Sequence, residues 1–91
     1  MSPNKSMNQA SDKKKLVWQC RRGMLELDVI LIPFLEEHFE TLEQNEQQLF
    51  SQLLTADDPD LYTWLMGYGK SDNEQFNLMI QIIRHKMGIS S

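Results

Sequence analysis

Two adjacent arginines, a glycine and a glutamate lie close together near the start of this 91-residue sequence: Arg21, Arg22, Gly23 and Glu26. If a helix begins near Arg22, the side chains of Arg22 and Glu26 lie one turn apart on one face. One interpretation is an exposed ion pair worth roughly a few tenths of a kcal/mol, with Gly23 ending the preceding helix. The other is a partner-binding surface, because glycine permits close approach and the charged groups supply donors and an acceptor.

Residues that commonly carry catalysis or bind metals are few and dispersed. His38 and His85 have no second ligand type at metal-binding spacing, and a single cysteine cannot build a zinc site. Cys20 falls on the predicted inner side of a helix, which favours a small buried hydrophobic residue over a nucleophile. The glycines fall at predicted helix ends and form no phosphate-binding loop. We therefore expect neither an enzyme nor a metal site.

Charge is divided unevenly along the chain, whose net charge is −4. Residues 1–22 carry six lysines and arginines against one aspartate, whereas residues 23–91 carry three against twelve acidic residues. The acidic body lacks the clustered basic surface that phosphate contacts need, so we expect no nucleic-acid partner. The longest apolar run, 29–32, is four residues long, so we expect no insertion into a membrane.

The N-terminus and the cysteine content bear on the cellular compartment. Residues 1–11 are polar and aperiodic, and we predict that they form a disordered tail. They lack the apolar core of a signal peptide, and a lone cysteine allows no internal disulfide. A reducing compartment, the bacterial cytoplasm, is the simplest interpretation. The remaining residues, 12–91, suffice for one small domain, which we expect to be monomeric.

Apolar residues within 12–91 recur at three- and four-residue spacings, and no segment alternates long enough to predict a strand. The sequence therefore predicts an all-α bundle of five short helices. The first is expected over 12–20 and the second over 24–39. The third ends near 54, the fourth stops at 67, and the fifth ends at 87.

Capping residues mark several of these helix boundaries. Thr41 with Gln44 predicts a capping box at the third helix, and Ser71 with Glu74 predicts one at the fifth. An acidic cap followed by proline, at 57–59, predicts the start of the fourth helix. Within the second helix, a proline at position 33 removes one backbone hydrogen bond, which predicts a kink or a split.

The two tryptophans are expected in different surroundings. Trp64 lies at helical spacing from other apolar residues and is expected in the core. Trp18 lies one turn from the arginines, so it is either packed or half-exposed as a secondary partner contact. Both interpretations of Trp18 stay open at this point.

The residues around the arginine pair extend into a longer pattern. Residues 20–28 read Cys-Arg-Arg-Gly-Met-Leu-Glu-Leu-Asp and contain an Arg-Gly-x-x-Glu signature. Downstream stand Pro33-Phe34, Asp60-Leu61, Trp64-Leu65 and Gly67. Together these residues resemble the SdhE family, the YgfY-like bacterial proteins and mitochondrial succinate dehydrogenase assembly factors. The resemblance extends over residues 12–87.

The resemblance implies a five-helix bundle that promotes covalent attachment of FAD to the flavoprotein subunit of succinate dehydrogenase, and also of fumarate reductase. Such a factor is not an oxidoreductase. It binds the flavoprotein near the flavin site, where a histidine of the partner becomes linked to the isoalloxazine ring. By position, the implied contact residues are Arg22, Gly23 and Glu26, with Arg21 beside them. No cofactor is expected to be held stably by the chain itself.

Two further expectations follow. Replacing Arg22 by alanine, or Gly23 by a bulky residue, is expected to leave the isolated fold largely intact while abolishing stimulated flavinylation. The alternative function is a small regulatory protein-binding module, similar to an antitoxin, without any role in flavin assembly. Family members have been described in that role too, and it suits a small acidic protein.

Overall fold

A computed structural model describes residues 14–89 of the chain. Apolar residues recur at helical spacing in this range, and the chain folds into helices there. Five α-helices and no strand occur within that range, which confirms the all-α prediction. The predicted tail, 1–11, lies outside the described residues. The helices are α1 (14–20), α2 (Leu25–His38), α3 (Gln44–Leu53), α4 (Asp58–Leu65) and α5 (Glu74–Lys86), with a 3-10 turn at Phe39–Thr41.

The second helix passes through its proline without interruption, so of the two predicted alternatives the split is wrong, and the kink stays a prediction. Pro33 has no N–H to donate to the carbonyl of Val29. Val29 lies on the outer face of α2, with 55% of its surface exposed. The proline therefore removes a backbone hydrogen bond on the outer side of the helix and not in the core, where the loss would cost more.

The caps of two helices differ in position from the predicted ones. Before α3, Glu46 accepts from the backbone N–H of Glu43 at 2.9 Å, two residues beyond the predicted start of the capping box. Before α5, the side chain of Asn73 accepts from the N–H groups of Gln75 and Phe76, at 2.9 and 3.4 Å. Asparagine caps helices as well as serine does, so the nearer residue fills this role.

The core is formed by one face of each helix, and α5 packs against α2, α3 and α4. Phe34 of α2 stacks against Phe50 of α3 with ring centroids 5.3 Å apart. Trp64 is half-buried at the border of the core, where it packs against Phe76 of α5. The buried apolar residues are Leu16, Cys20, Leu27, Ile30, Leu31, Phe34, Leu35, Leu42, Phe50, Leu53, Leu54, Leu61, Leu65, Met79, Ile80 and Ile83.

The position of the α5 cap can be tested by two alanine substitutions. We expect Asn73→Ala to lower the free energy of unfolding by about 1 kcal/mol, because two N–H groups lose their acceptor. Ser71→Ala should cost less, about 0.5 kcal/mol, because the Ser71 hydroxyl accepts only from the N–H of Asn73. Urea unfolding of both variants measures the difference. A larger loss of unfolding free energy for Ser71→Ala than for Asn73→Ala would instead support Ser71 as the cap, as the sequence predicted.

Candidate functional site

A four-residue loop, 21–24, joins α1 to α2 and contains the arginine pair and the glycine. Gly23 has a φ of +79°, a left-handed conformation that residues with side chains rarely adopt. This conformation allows α1 to end and positions Met24 as the N-cap of α2. Gly23 is exposed, and a β-carbon built on it would meet nothing within 4 Å. The backbone angle therefore favours glycine here, and the space around its α-carbon is open.

The side chain of Arg22 points inward and connects three helix ends. Its Nε donates to Asp58 Oδ1 at 2.7 Å, and its Nη1 donates to the Leu54 carbonyl at 2.7 Å. The Gln19 carbonyl accepts from Nη1 at 3.1 Å, and the Ala56 carbonyl accepts from Nη2. Only 14% of the Arg22 side chain is exposed. We call Arg22 and these four partners the Arg22 cluster; it joins the end of α1, the end of α3 and the start of α4.

Arg22 and Glu26 do not share a helix face, contrary to the prediction. Because α2 begins at Leu25, Arg22 lies in the loop, where its backbone N–H donates to Asp28 Oδ1 at 2.8 Å. The Glu26 side chain is exposed in the first turn of α2, and its carboxylate forms no hydrogen bond or ion pair with another residue of 14–89. The expected i, i+4 ion pair is therefore absent from this range, and Glu26 remains available for another donor.

These contacts also revise the expectation that Arg22→Ala leaves the fold intact. The mostly buried Arg22 guanidinium donates to carbonyls at helix ends, such as that of Leu54, which have no N–H donor within a helix. Removing it leaves these carbonyls and the Asp58 carboxylate without its hydrogen bonds. Arg22 therefore has a structural role that the spacing of Arg22 and Glu26 did not indicate.

Large apolar side chains are exposed around Gly23. Trp18 and Leu25 are each 73% exposed, and the guanidinium carbon of Arg21 lies 5.8 Å from the centre of the Trp18 ring, a cation–π contact. The packed alternative for Trp18 is thus excluded. We call the exposed residues in and beside the loop the loop surface; its members are Trp18, Arg21, Gly23, Leu25, Glu26 and Val29.

Leu25 and Val29 were not recognised from the sequence as members of a surface. A signal was nevertheless present, because both lie off the apolar stripe that Leu27, Ile30 and Leu31 form on α2. They are one helical turn apart and therefore adjacent on the outer side of α2. Exposed apolar residues clustered beside charged ones are typical of protein-binding surfaces.

Cys20 is fully buried beneath the loop, as the sequence predicted. Burial raises the pKa of its thiol from 9.0 to about 12; the charge of Arg22 opposes this rise, and the Asp28 carboxylate adds to it. A thiol this hard to ionise is a poor nucleophile.

Within 14–89 no three potential ligands are grouped to hold a metal ion, and no helix there is long and apolar enough to cross a membrane.

The chain, whose Arg-Gly-x-x-Glu segment runs from the loop into the first turn of α2, was compared with known families. The family model described as "Flavinator of succinate dehydrogenase" matches residues 14–87. That match covers most of the chain, so this protein belongs to the family of succinate dehydrogenase flavinators.

Individual relatives carry a corresponding name. The chain is 51% identical to the FAD assembly factor SdhE of Aliivibrio fischeri over 82 residues, which cover 89% of this chain and 95% of the relative. It is 46% identical to the SdhE of Vibrio cholerae over 82 residues, with the same coverage. Identity to the SdhE of Idiomarina loihiensis is 40% over 90 residues, 98% of this chain and the whole of that protein.

The structural role of Arg22 predicts a loss of stability on its removal. We expect Arg22→Ala to lower the free energy of unfolding by about 2–4 kcal/mol, because charged hydrogen bonds at a mostly buried site are lost together. Arg21→Ala is the matched control. Arg21 is the exposed neighbour of Arg22, and its substitution should lower the free energy of unfolding by less than about 1 kcal/mol. Urea unfolding followed by circular dichroism compares the two. Equal, small losses would contradict the role given to the Arg22 cluster.

The thiol of Cys20 gives a second prediction. With its pKa near 12, about one thiol in ten thousand is ionised at pH 8, so the native protein should resist iodoacetamide until denaturant is added. The pKa is raised in the folded state, so the unfolded state loses its proton first. The free energy of unfolding should therefore decline as pH rises from about 9 towards 12. Rapid labelling of the native protein would contradict the burial.

Proposed function

We propose that this protein promotes covalent attachment of FAD to the flavoprotein subunit of succinate dehydrogenase, and also of fumarate reductase, by binding that subunit through the loop surface. The family membership and the names of the relatives support the activity. One structural observation supports the site: an exposed glycine with open space around it stands beside an exposed glutamate without a partner in 14–89. We further propose that it acts as a monomer in the bacterial cytoplasm.

The exposed and buried residues of the segment have separate roles in this proposal. Gly23 allows a backbone segment of the flavoprotein to approach closely, since no side chain intervenes. Glu26 accepts hydrogen bonds from the partner, and Arg21 donates them. Arg22 is a positioning residue, because its guanidinium is occupied inside the bundle and fixes the direction of the loop.

The apolar members of the loop surface contribute most of the contact area. Trp18, Leu25 and Val29 are exposed in the free protein and lose contact with water when the partner covers them. Tryptophan and arginine are enriched among the residues that dominate binding energies at such interfaces. The Trp18–Arg21 pair is therefore expected at the centre of the contact.

The proposed factor contributes no reacting group. The new bond joins a histidine nitrogen of the flavoprotein to a carbon of the isoalloxazine of FAD, the cofactor of the partner. One N–H and one C–H bond break, and the flavin itself takes up the two electrons that are released. The factor accelerates the step by binding the flavoprotein conformation in which the two reacting groups are aligned. It must bind that conformation more tightly than unproductive ones, because equal binding would shift no population.

The role of Glu26 can be separated from folding. We expect Glu26→Gln to fold normally and to reduce stimulated flavinylation by about tenfold, a loss equal to one charged hydrogen bond across an interface. Glu36→Gln is the matched control, because Glu36 is an exposed glutamate near the other end of α2. In-gel flavin fluorescence of denatured extracts from cells that lack the native factor measures the covalently bound flavin. Equal fluorescence with both variants would disprove the role of Glu26.

A pair of glycine variants tests the close approach at Gly23. Gly88 also has a positive φ, +71°, and open space around its α-carbon, so leucine at either position carries a similar backbone strain of about 1–2 kcal/mol. We expect Gly23→Leu to abolish capture of the flavoprotein subunit in a pull-down, with or without FAD. Gly88→Leu should retain it. If both variants capture the subunit fully, the loop surface is not the binding site.

Deletion of the gene distinguishes the proposed function from the alternative. Loss of the covalently flavinylated band in the deletion strain, with recovery on complementation, supports the assembly role. An unchanged band together with altered growth would instead support a regulatory protein-binding module.

A further inference from the structure

A pocket lies between α4, the loop that follows it, and α5. Its volume is about 500 Å³, and the residues lining it include Trp64, Tyr68, Lys70, Leu78 and Arg84. Arg22 contacts the N-terminal end of α4, whereas this pocket lies at its C-terminal end. The two ends are roughly 10 Å apart along the helix, so the pocket is separate from the Arg22 cluster.

Arg84 is the most deeply buried charged residue within 14–89, with 6% of its surface exposed. Its Nη1 donates to the carbonyl of Leu65 at the end of α4. The guanidinium lies directly against Gly67, where a β-carbon would approach Nη1 to 3.2 Å. It forms no ion pair with any residue of that range, although Glu74 lines the same pocket outside ion-pair distance.

The remaining nitrogens of Arg84 are accessible from the pocket. In the described part of the chain every buried side-chain nitrogen or oxygen has a hydrogen-bond partner. Nε and Nη2 of Arg84 have none, so both must contact solvent, and Arg84 lines the pocket. A largely buried guanidinium with free donors and no carboxylate of 14–89 within ion-pair distance is an environment that favours binding of an anion.

The charges of the pocket indicate which anion fits. Arg84 and Lys70 are opposed by Glu74, which also lines the pocket, so one positive charge remains. A carboxylate matches this charge and the planar fork of a guanidinium. A phosphate dianion would carry an excess negative charge into a body that is already acidic.

The rim of the pocket indicates the kind of molecule that carries the carboxylate. Tyr68 is 74% exposed and Leu78 is 57% exposed, and both line the pocket. Apolar side chains that project beside a charged site provide contact area for a polypeptide, whereas a small acid would leave them in water.

We propose that this pocket binds an acidic side chain of a partner polypeptide. The carboxylate accepts hydrogen bonds from the free Nε and Nη2 of Arg84, and Lys70 adds a second positive charge. Apolar residues that flank the acidic residue pack on Tyr68 and Leu78. The proposal is independent of the loop surface and of the identity of the partner that binds there.

Nuclear magnetic resonance titration of the isotope-labelled full chain tests the proposal. The probe is the capped tripeptide acetyl-Leu-Glu-Leu-amide, which we expect to shift the amide signals of Gly67 and Gly69 and the Nε–H signal of Arg84, with a Kd on the order of 1 mM. The Leu-Gln-Leu analogue, which lacks the charge, should bind at least about tenfold more weakly. Equal binding of the two tripeptides, or no saturable shift, overturns the proposal.

Three further probes identify the source of the anion. Ser-Glu-Ser, which lacks the apolar flanks, and propionate should both bind at least about threefold more weakly than Leu-Glu-Leu. If propionate binds as tightly, the pocket is a site for small acids and the polypeptide assignment is wrong. If inorganic phosphate binds more tightly than any carboxylate, the assignment to a carboxylate is wrong.

Variants that do not disturb the Arg84–Leu65 hydrogen bond locate the site. Lys70→Glu should weaken binding of Leu-Glu-Leu at least about fivefold, because it replaces the second positive charge. Lys86→Glu makes the same charge change on the exposed side of α5, outside the pocket, and should change binding by less than about twofold. Leu78→Ser should reduce the difference in affinity between Leu-Glu-Leu and Ser-Glu-Ser. Equal effects of the two lysine variants would contradict a site in this pocket.

Discussion

Carbonyl groups at the end of a helix have no N–H donor within the helix, and in this bundle a guanidinium supplies donors at a point where three helix ends meet. Arg22 bonds the Leu54 carbonyl at the end of α3 and the Asp58 carboxylate at the start of α4. Because Gly23 follows directly, the interaction that joins the helices also orients the loop. In the proposed function, a loop surface oriented before the partner binds reduces the entropy lost on association.

An Arg-Gly-x-x-Glu segment placed in this way combines two physical roles. The arginine is directed into the protein, whereas the glycine and Glu26 are directed outward. In the proposed function only the outward residues contact the flavoprotein, and the arginine determines where they stand. A change of either kind would reduce flavinylation, but for different reasons. Loss of Arg22 would act through the fold and loss of Glu26 through the interface, so the stability of a variant distinguishes the two.

Much of the fold could be predicted from the sequence because it depends on local patterns. The five helices and the buried stripe of α2 follow from apolar spacing, and the acidic residue before α4, with the proline in its first turn, marks its start. The cluster around Arg22 could not be predicted. Three of its four partners lie 32 to 36 residues further along the chain, and two of these three are backbone carbonyls, which every residue type offers. Arg84 was overlooked for the same reason, since its partner is also a carbonyl.

Hydrogen exchange of the free protein and of its complex with the flavoprotein subunit tests the central claim most directly. The account predicts that the backbone N–H and the Nε–H of Arg22 are protected in both states, because the Arg22 cluster stays closed. The N–H groups of Gly23 and Glu26 should gain protection only in the complex. Loss of Arg22 protection on binding, or new protection elsewhere with none at Gly23 and Glu26, would contradict it.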